Sequence, residues 1–119
     1  MKRKDFGKEG EDIAVDFLLS KGYEIIERNW RFGKKEIDII AIYDKSLVIV
    51  EVKTREDKRL ERPGDLVSPQ KSRYIIDAAE AYIKNNNITL ETRFDVILIY
   101  PALLDPEIEH IERAFFPTC

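Results

Sequence analysis

The chain has 119 residues, of which 44% are hydrophobic and 36% are charged. This length fits one domain spanning residues 1–119, and the composition favours a compact core under a charged surface over disorder. The 20 basic and 23 acidic residues give a formal net charge of −3, so bulk charge alone would not hold the chain on nucleic acid. One histidine and one cysteine exclude a Cys/His zinc site and an internal disulfide framework. Any catalysis must therefore depend on carboxylates, lysine or a bound metal.

Neither a membrane span nor an export signal is expected from the sequence. The basic N-terminus is not followed by the apolar stretch that signal peptides contain. The longest apolar-rich run without charge, residues 96–104, is far shorter than the roughly 18 residues that a membrane span requires. Because Cys119 is the only cysteine, we also expect a reducing compartment, and these features together predict a cytoplasmic protein.

Hydrophobic periodicity predicts an α/β fold. Apolar residues three and four apart predict a first helix over residues 6–20. A second helix should begin at Ser68-Pro69, since serine caps helices and proline fits their first turn. Runs rich in β-branched and aromatic residues predict strands over 23–30, 36–43, 47–54 and 93–100, with a candidate edge strand over 108–115. The order α-β-β-β-α-β predicts a mixed sheet flanked by helices.

Three charged residues stand where the strand pattern favours apolar side chains: Asp38, Glu51 and Lys53. Glu51 and Lys53 are two residues apart and therefore share one face of their strand. If Asp38 lies on the neighbouring strand, its carboxylate and that of Glu51 can converge, and a divalent cation such as Mg²⁺ would relieve their repulsion. Lys53 could then hold an attacking water or stabilise a phosphate. The spacing thus contains the parts for metal-assisted hydrolysis of a phosphodiester.

The same three residues permit a plainer interpretation. A strand hairpin can bury an ion pair that has no catalytic role, and structural pairs also have perturbed pKa values. From the strand context alone, both interpretations stay open.

Basic residues cluster despite the negative net charge. One stretch, interleaved with Trp30 and Phe32, contains four cations and no acid: Arg28, Arg31, Lys34 and Lys35. Such a stretch could contact a phosphate backbone and stack on unpaired bases. It could equally be a solvated surface with Trp30 in the core.

The other notable polar residues do not indicate a function when each is considered alone. Glu11 follows Gly10 on the first helix, where glycine permits close approach to a neighbour, but an exposed glutamate fits the position as well. Gln70 and Tyr74 are one helical turn apart and so present one face. His110 is interpreted as a surface or edge-strand histidine.

Taken together, these residues resemble the motif series of the restriction-endonuclease-like (PD-(D/E)XK) superfamily, in matching order: Glu11, Asp38, Glu51-Val52-Lys53 and Gln70-x-x-x-Tyr74. More closely, the chain resembles the bacterial YraN-like family of uncharacterised small proteins within that superfamily. The family resemblance runs from Phe6 to about Val96 and includes the stretches Arg28-Asn29-Trp30-Arg31, Glu36-Ile37-Asp38 and Arg93-Phe94-Asp95-Val96. Lys35 departs from it, because the family usually has glycine there, and the local turn is expected to differ.

The resemblance implies a restriction-endonuclease-like core and a metal-dependent nuclease, or nuclease-like protein, acting on nucleic acid. DNA is favoured over RNA as its substrate, and branched and single-stranded DNA are among the candidates. In the superfamily, residues matching Glu11, Asp38 and Glu51 bind Mg²⁺ or Mn²⁺, and the residue matching Lys53 assists catalysis. The expected nucleic-acid contacts, from the resemblance and the basic clusters, are Arg28, Arg31, Lys34, Lys35, Arg55, Gln70, Lys71 and Tyr74.

Two alternatives stay open. One is a catalytically silent nucleic-acid-binding module that keeps the site residues. The other is a protein-interaction subunit of a DNA repair or uptake assembly that docks through its acidic C-terminal segment. A homodimer or a larger DNA-processing assembly is compatible with the nuclease hypothesis, because two-fold dimers are the commonest assemblies.

Overall fold

The computed structural model describes residues 3–56, 66–102 and 105–117, with side chains from residue 9 onward. Two helices and five strands make up this part of the chain. They are α1 (Arg3–Ser20), β1 (Glu24–Phe32), β2 (Lys35–Tyr43), β3 (Ser46–Thr54), α2 (Pro69–Asn85), β4 (Glu91–Tyr100) and β5 (Glu107–Phe115). The prediction of an α/β fold with a mixed sheet is confirmed, and the candidate edge strand is present as β5.

The five strands form one sheet in the order β1-β2-β3-β4-β5. The pairs β1–β2, β2–β3 and β4–β5 are antiparallel, whereas β3 and β4 are parallel. Parallel neighbours cannot be joined by a tight turn, and here α2 lies in the connection between them. The central strand of the sheet is β3, which has two strands on each side.

The sheet is buried on both faces, and each helix covers one of them. On one face, Ala14 and Leu18 of α1 pack on a cluster that includes Val48 and Val50 of β3. On the other face, α2 packs on a separate cluster with Ile49. Strands covered on both faces read as continuous apolar runs, which is why charged residues within them stand out in the sequence.

Local sequence signals explain the element boundaries. Asp44 and Lys45 both have positive φ, 49° and 64°, as a two-residue hairpin turn between β2 and β3 requires. Ser68 caps α2, where its Oγ accepts a hydrogen bond from the Lys71 backbone N–H at 3.1 Å. Pro69 follows as the first helical residue, as predicted.

Several boundaries differ from the sequence prediction. The first helix begins at Arg3 rather than residue 6, and β1 extends to Phe32, two residues beyond its predicted end at residue 30. Most of residues 55–67, the segment between the predicted strand over 47–54 and the predicted helix at Ser68, lies outside the described residues, as does Cys119. In the described part of the chain, neither helix is both long and apolar enough to cross a lipid bilayer.

Strand β2 stops pairing with β3 at Asp38, while it remains paired with β1. Its pairing with β1 continues to the Phe32–Lys35 pair, but its pairing with β3 stops where Ile39 faces Val50. Ile39 packs with the α1-side core, whereas Ile37 packs with the α2-side core. Residues two apart normally share a face, so the strand twists at Asp38 as it separates from β3. This separation positions the candidate site.

Candidate active site

Asp38 and Glu51 lie side by side where β2 and β3 separate. The Oδ2 atom of Asp38 accepts a hydrogen bond from the backbone N–H of Val52 at 2.8 Å, in place of a strand-to-strand bond. Glu51, the residue before Val52, is 7% exposed, and Asp38 is half-buried. The two carboxylates, on adjacent strands as the sequence predicted, therefore form a pair that solvent reaches mainly through Asp38.

Burial, and after it the neighbouring charge of Glu51, raise the pKa of Asp38 to about 7. The hydrogen bond from Val52 and the positive charge of Lys71 oppose these effects without cancelling them. Ionising both of two close carboxylates in a partly desolvated site costs free energy, because the charges repel and are poorly hydrated. At neutral pH the pair is therefore ready either to share a proton or to bind a cation.

Two lysines flank Glu51. The Nζ atoms of Lys53 and Lys71 lie 3.7 Å and 3.8 Å from Glu51 Oε2. Lys53 comes from the same face of β3 as Glu51, as its spacing predicted, and Lys71 reaches the site from the first turns of α2. Both distances are too long for good hydrogen bonds, so the ammonium groups balance the charge of Glu51 without being fixed to it.

Glu11 approaches the pair from α1. Partial burial and the charge of Asp38 raise the pKa of Glu11, while a hydrogen bond with Asn29 lowers it. Asn29 has a positive φ of 52° and lies in β1 at the level of Asp38. Even so, the residues that the structure describes contain no group of three or more His, Cys, Asp or Glu side chains arranged to hold a metal ion. The acids form a paired core, Asp38 with Glu51, and Glu11 beside it.

The residues predicted to contact nucleic acid are distributed around this core. On the α2 side, Gln70 donates a hydrogen bond to the Tyr74 hydroxyl at 2.8 Å, which confirms their shared face. Lys35 pairs with Asp77 at 2.9 Å, and its Nζ lies 5.4 Å from the centre of the Tyr74 ring.

The remaining predicted contacts differ in how freely they could meet a ligand. Arg28 is held by Asp12 of α1 at 2.6 Å, whereas the exposed Arg31 lies 3.9 Å from Glu36. Lys34 is exposed in the β1–β2 turn. Arg55 donates a hydrogen bond to the Thr54 carbonyl at the end of β3.

A second polar cluster, which the sequence analysis missed, lies under α1. Asp95 of β4 is fully buried and accepts two parallel hydrogen bonds from Arg93, at 3.0 Å and 2.8 Å. The Arg113 backbone N–H also donates to it, and His110 Nε2 lies 2.7 Å from its Oδ2 atom. Arg93 in turn donates to the Tyr23 hydroxyl at 2.6 Å. Arg93 and Asp95 interrupt an apolar strand two residues apart, which is the same signal that identified Glu51 and Lys53.

Of the two alternatives for His110, a surface or an edge-strand histidine, the structure supports the second, because His110 lies in the edge strand β5. Its side chain is only 8% exposed and contacts Phe17 and Tyr23. Burial alone would raise the pKa of Asp95, but the hydrogen bonds from His110, Arg93 and Arg113 outweigh it and hold that pKa below its ordinary value. Asp95 is thus ionised and ties β4 to β5.

The fold and site define an α/β protein whose mixed five-stranded sheet carries two carboxylates and a lysine where β2 and β3 separate, with a second lysine beside them on α2. The profile of the uncharacterised protein family UPF0102 matches residues 10–99, and the chain belongs to this family. It is 45% identical over 116 residues to a UPF0102 protein of Phocaeicola vulgatus, covering 98% of this chain and 96% of that protein.

Other relatives match over nearly their whole length. A UPF0102 protein of Flavobacterium psychrophilum is 47% identical, covering 97% of both chains. One from Bacteroides fragilis is 48% identical, covering 93% of this chain and 92% of the relative. The expected membership in a bacterial family of uncharacterised proteins is therefore confirmed. The matched region contains Glu11, Asp38, Glu51, Lys53 and Lys71.

Proposed function

We propose that the protein is a divalent-metal-dependent nuclease that hydrolyses phosphodiester bonds in DNA. The observation that carries this proposal is the meeting of Asp38 and Glu51 from two separating strands, with Lys53 and Lys71 beside them. The order of the elements and the place of this cluster at the end of a central strand also support a restriction-endonuclease-like core for the domain.

The donor set fits Mg²⁺ or Mn²⁺. Magnesium keeps several waters and is commonly held by one or two carboxylates together with substrate phosphate, so a cage of three protein ligands is not required. Asp38 and Glu51 would hold the ion directly, and a cation would offset both causes of the raised pKa of Asp38, its burial and its repulsion by Glu51. Glu11 would act from the second layer, through water. When bound, the cation supplies an acidified water and neutralises charge on the phosphate.

The two lysines would perform different tasks. Hydrolysis forms a bond from a water oxygen to phosphorus, breaks the bond to the leaving oxygen, and places extra negative charge on the phosphate oxygens. Lys53 is mostly buried beside Glu51, so it can orient the water and stabilise that charge without being screened by bulk solvent. Lys71 is about half exposed on α2 and is better placed to bind a neighbouring phosphate of the strand.

The competing interpretation is that Asp38, Glu51 and Lys53 form a structural ion pair with no catalytic role. A DNA-cleavage assay distinguishes this interpretation from the nuclease. Purified protein would be incubated with labelled single-stranded, duplex and branched DNA in Mn²⁺ or Mg²⁺. We expect cleavage by the wild type and losses of about a hundredfold or more for Asp38→Asn, Glu51→Gln and Lys53→Met, since removing one electrostatic stabiliser typically costs that much. Asp16→Asn, which changes an exposed carboxylate of α1, is the matched control.

The outcomes are distinguishable. Cleavage that survives Asp38→Asn, with all variants folded by circular dichroism, would assign the activity to a contaminant or to another site. Salt-sensitive DNA binding without cleavage would favour the silent binding module. An absence of both binding and cleavage would favour the structural ion pair.

A further inference from the structure

A groove of about 390 Å³ lies between the β1–β2 hairpin and the later turns of α2. Phe32 and Lys35 line it from the hairpin, and Asp77, Glu80 and Lys84 line it from the helix. Its volume is within the range that small-molecule-sized groups occupy in proteins. It is separate from the carboxylate pair, and the proposed hydrolysis does not use it.

An exposed aromatic ring forms one wall of this groove. Phe32 is 47% exposed at the end of β1, although burying a phenylalanine side chain would be worth about 2 kcal/mol. The nearby Trp30 behaves differently, since it packs edge-on against Tyr82 of α2 and belongs to the core. Of the two aromatic residues in the basic stretch, only Phe32 can therefore offer a face to a ligand.

Lys35 fixes the two walls relative to each other. It is the β2 partner of Phe32 in the hairpin, and it reaches across to Asp77 at 2.9 Å and to the Tyr74 ring at 5.4 Å. Tyr74 is 42% exposed and so extends the aromatic surface from the groove toward the start of α2. Because the hairpin and helix are already linked, a ligand would enter a largely preformed groove.

The charges in the groove fit a nucleotide. Lys35 and Lys84 provide positive charge for a phosphate, while Asp77 and Glu80 provide carboxylate oxygens that can accept hydrogen bonds from the exocyclic amino groups of bases. A paired base has its face covered by its neighbours and its Watson–Crick edge occupied. Only an unpaired nucleotide could stack on Phe32 and reach those carboxylates.

The groove is close to the proposed active site along both elements that form it. Lys35 precedes Asp38 by three residues on β2, which corresponds to about 10 Å at the usual rise of a strand. On α2, Tyr74 and Lys71 lie on adjacent turns, and Lys71 contacts Glu51. One DNA strand could therefore occupy both places.

We propose that this groove binds an unpaired nucleotide by stacking its base on Phe32, so that the protein selects DNA with a single-stranded segment next to the phosphate at the carboxylate pair. This inference rests on the proposed function, but nucleotide binding in the groove can be tested without measuring cleavage.

The test compares the affinities of a labelled oligodeoxycytidine, whose bases carry an exocyclic amino group, and a blunt hairpin duplex of similar phosphate number, in EDTA and at fixed salt. We expect the wild type to bind the single strand at least about fivefold more tightly and Phe32→Leu to lose that preference, because stacking contributes strongly per base. Phe32→Trp should retain it. Phe116→Leu makes the same change at an exposed phenylalanine outside the groove and should have no effect.

Equal affinity for the two DNAs, or equal behaviour of Phe32→Leu and Phe116→Leu, would overturn the inference. A parallel cleavage assay in Mn²⁺ separates it from the proposed function. Cleavage without a preference for single-stranded DNA would support the nuclease and contradict nucleotide binding in the groove. A Phe32-dependent preference for the single strand without cleavage would support binding in the groove and contradict the nuclease. Since Phe32 is exposed, its variants should fold, which thermal unfolding would verify.

Discussion

Asp38 accepts a hydrogen bond from the backbone N–H of Val52 at the point where β2 and β3 cease to pair. The carboxylate thereby satisfies a donor that strand separation would otherwise leave without a partner. The same geometry brings Asp38 beside Glu51, so the feature that completes the backbone hydrogen bonding also creates the carboxylate pair.

The stability of the metal-free protein should fall as the pH rises from about 4 to about 7. Unfolded Asp38 loses its proton near pH 3.8, whereas the folded residue keeps it to about pH 7. Between these values folding takes up a proton, so this contribution is fully present below pH 4 and lost by pH 7. The loss is at most about 4 kcal/mol, because one pKa unit corresponds to about 1.4 kcal/mol.

Urea unfolding at several pH values would measure this effect, with Asp38→Asn as the reference. Asparagine cannot titrate but can still accept the hydrogen bond from Val52, so other titrating groups cancel in the comparison. The variant should gain stability relative to the wild type as the pH rises. Parallel curves for the two proteins would contradict the raised pKa of Asp38.

Mn²⁺ should compete with the proton on Asp38. Titration calorimetry should show an apparent affinity that rises about tenfold per pH unit below pH 7 and levels off above it, as expected when binding displaces one proton. Glu51→Gln should weaken binding and move the dependence to lower pH, because it removes the charge that raises the pKa of Asp38. Asp16→Asn should bind like the wild type. An affinity that does not change between pH 5.5 and 7 would exclude Asp38 as a ligand.

Gly10→Ala should destabilise the fold by about 1 kcal/mol, although alanine normally favours helices over glycine. A Cβ atom at this position would lie 2.9 Å from Thr54 Oγ1, so α1 would be pushed away from the end of β3. Threonine has restricted rotamers and cannot easily turn aside.

A double-mutant cycle would test this contact. In a Thr54→Ala background the obstructing oxygen is gone, and Gly10→Ala should become neutral or stabilising in chemical denaturation. If its cost is the same in both backgrounds, the close approach of α1 to Thr54 is not the reason for glycine at position 10.

Asp95→Asn should cost about 3 kcal/mol of unfolding free energy. Asp95 is fully buried, and removing its charge leaves the buried Arg93 with only the exposed Glu112 as a counter-ion. Glu112→Gln is the matched control, because Glu112 also pairs with Arg93, at 3.3 Å, but is 58% exposed. Exposed pairs contribute at most about 1 kcal/mol, so the control should change little. Similar losses in the two variants would contradict the structural importance of the buried cluster.

Much of the architecture could be predicted from local signals. The cap at Ser68-Pro69, the turn at residues 44–45 and the β-branched runs define where helices and strands begin and end. The candidate site was also accessible, because Asp38, Glu51 and Lys53 are charges in strands that are otherwise apolar. The same criterion applies to Arg93 and Asp95, yet it could not reveal their partners, since Tyr23 and His110 are distant in sequence.

The sequence by itself determined the helices and strands, the two-residue spacing that places Glu51 and Lys53 on one face of β3, and the family to which the chain belongs. Only the tertiary structure decided that β2 twists away from β3 at Asp38, that the His110 side chain is buried, and that Phe32 is exposed while Trp30 is packed. The physical reason is the separation along the sequence over which each effect acts. Propensity and periodicity act between residues a few positions apart, whereas strand separation, burial and charge pairing depend on which distant segments pack together.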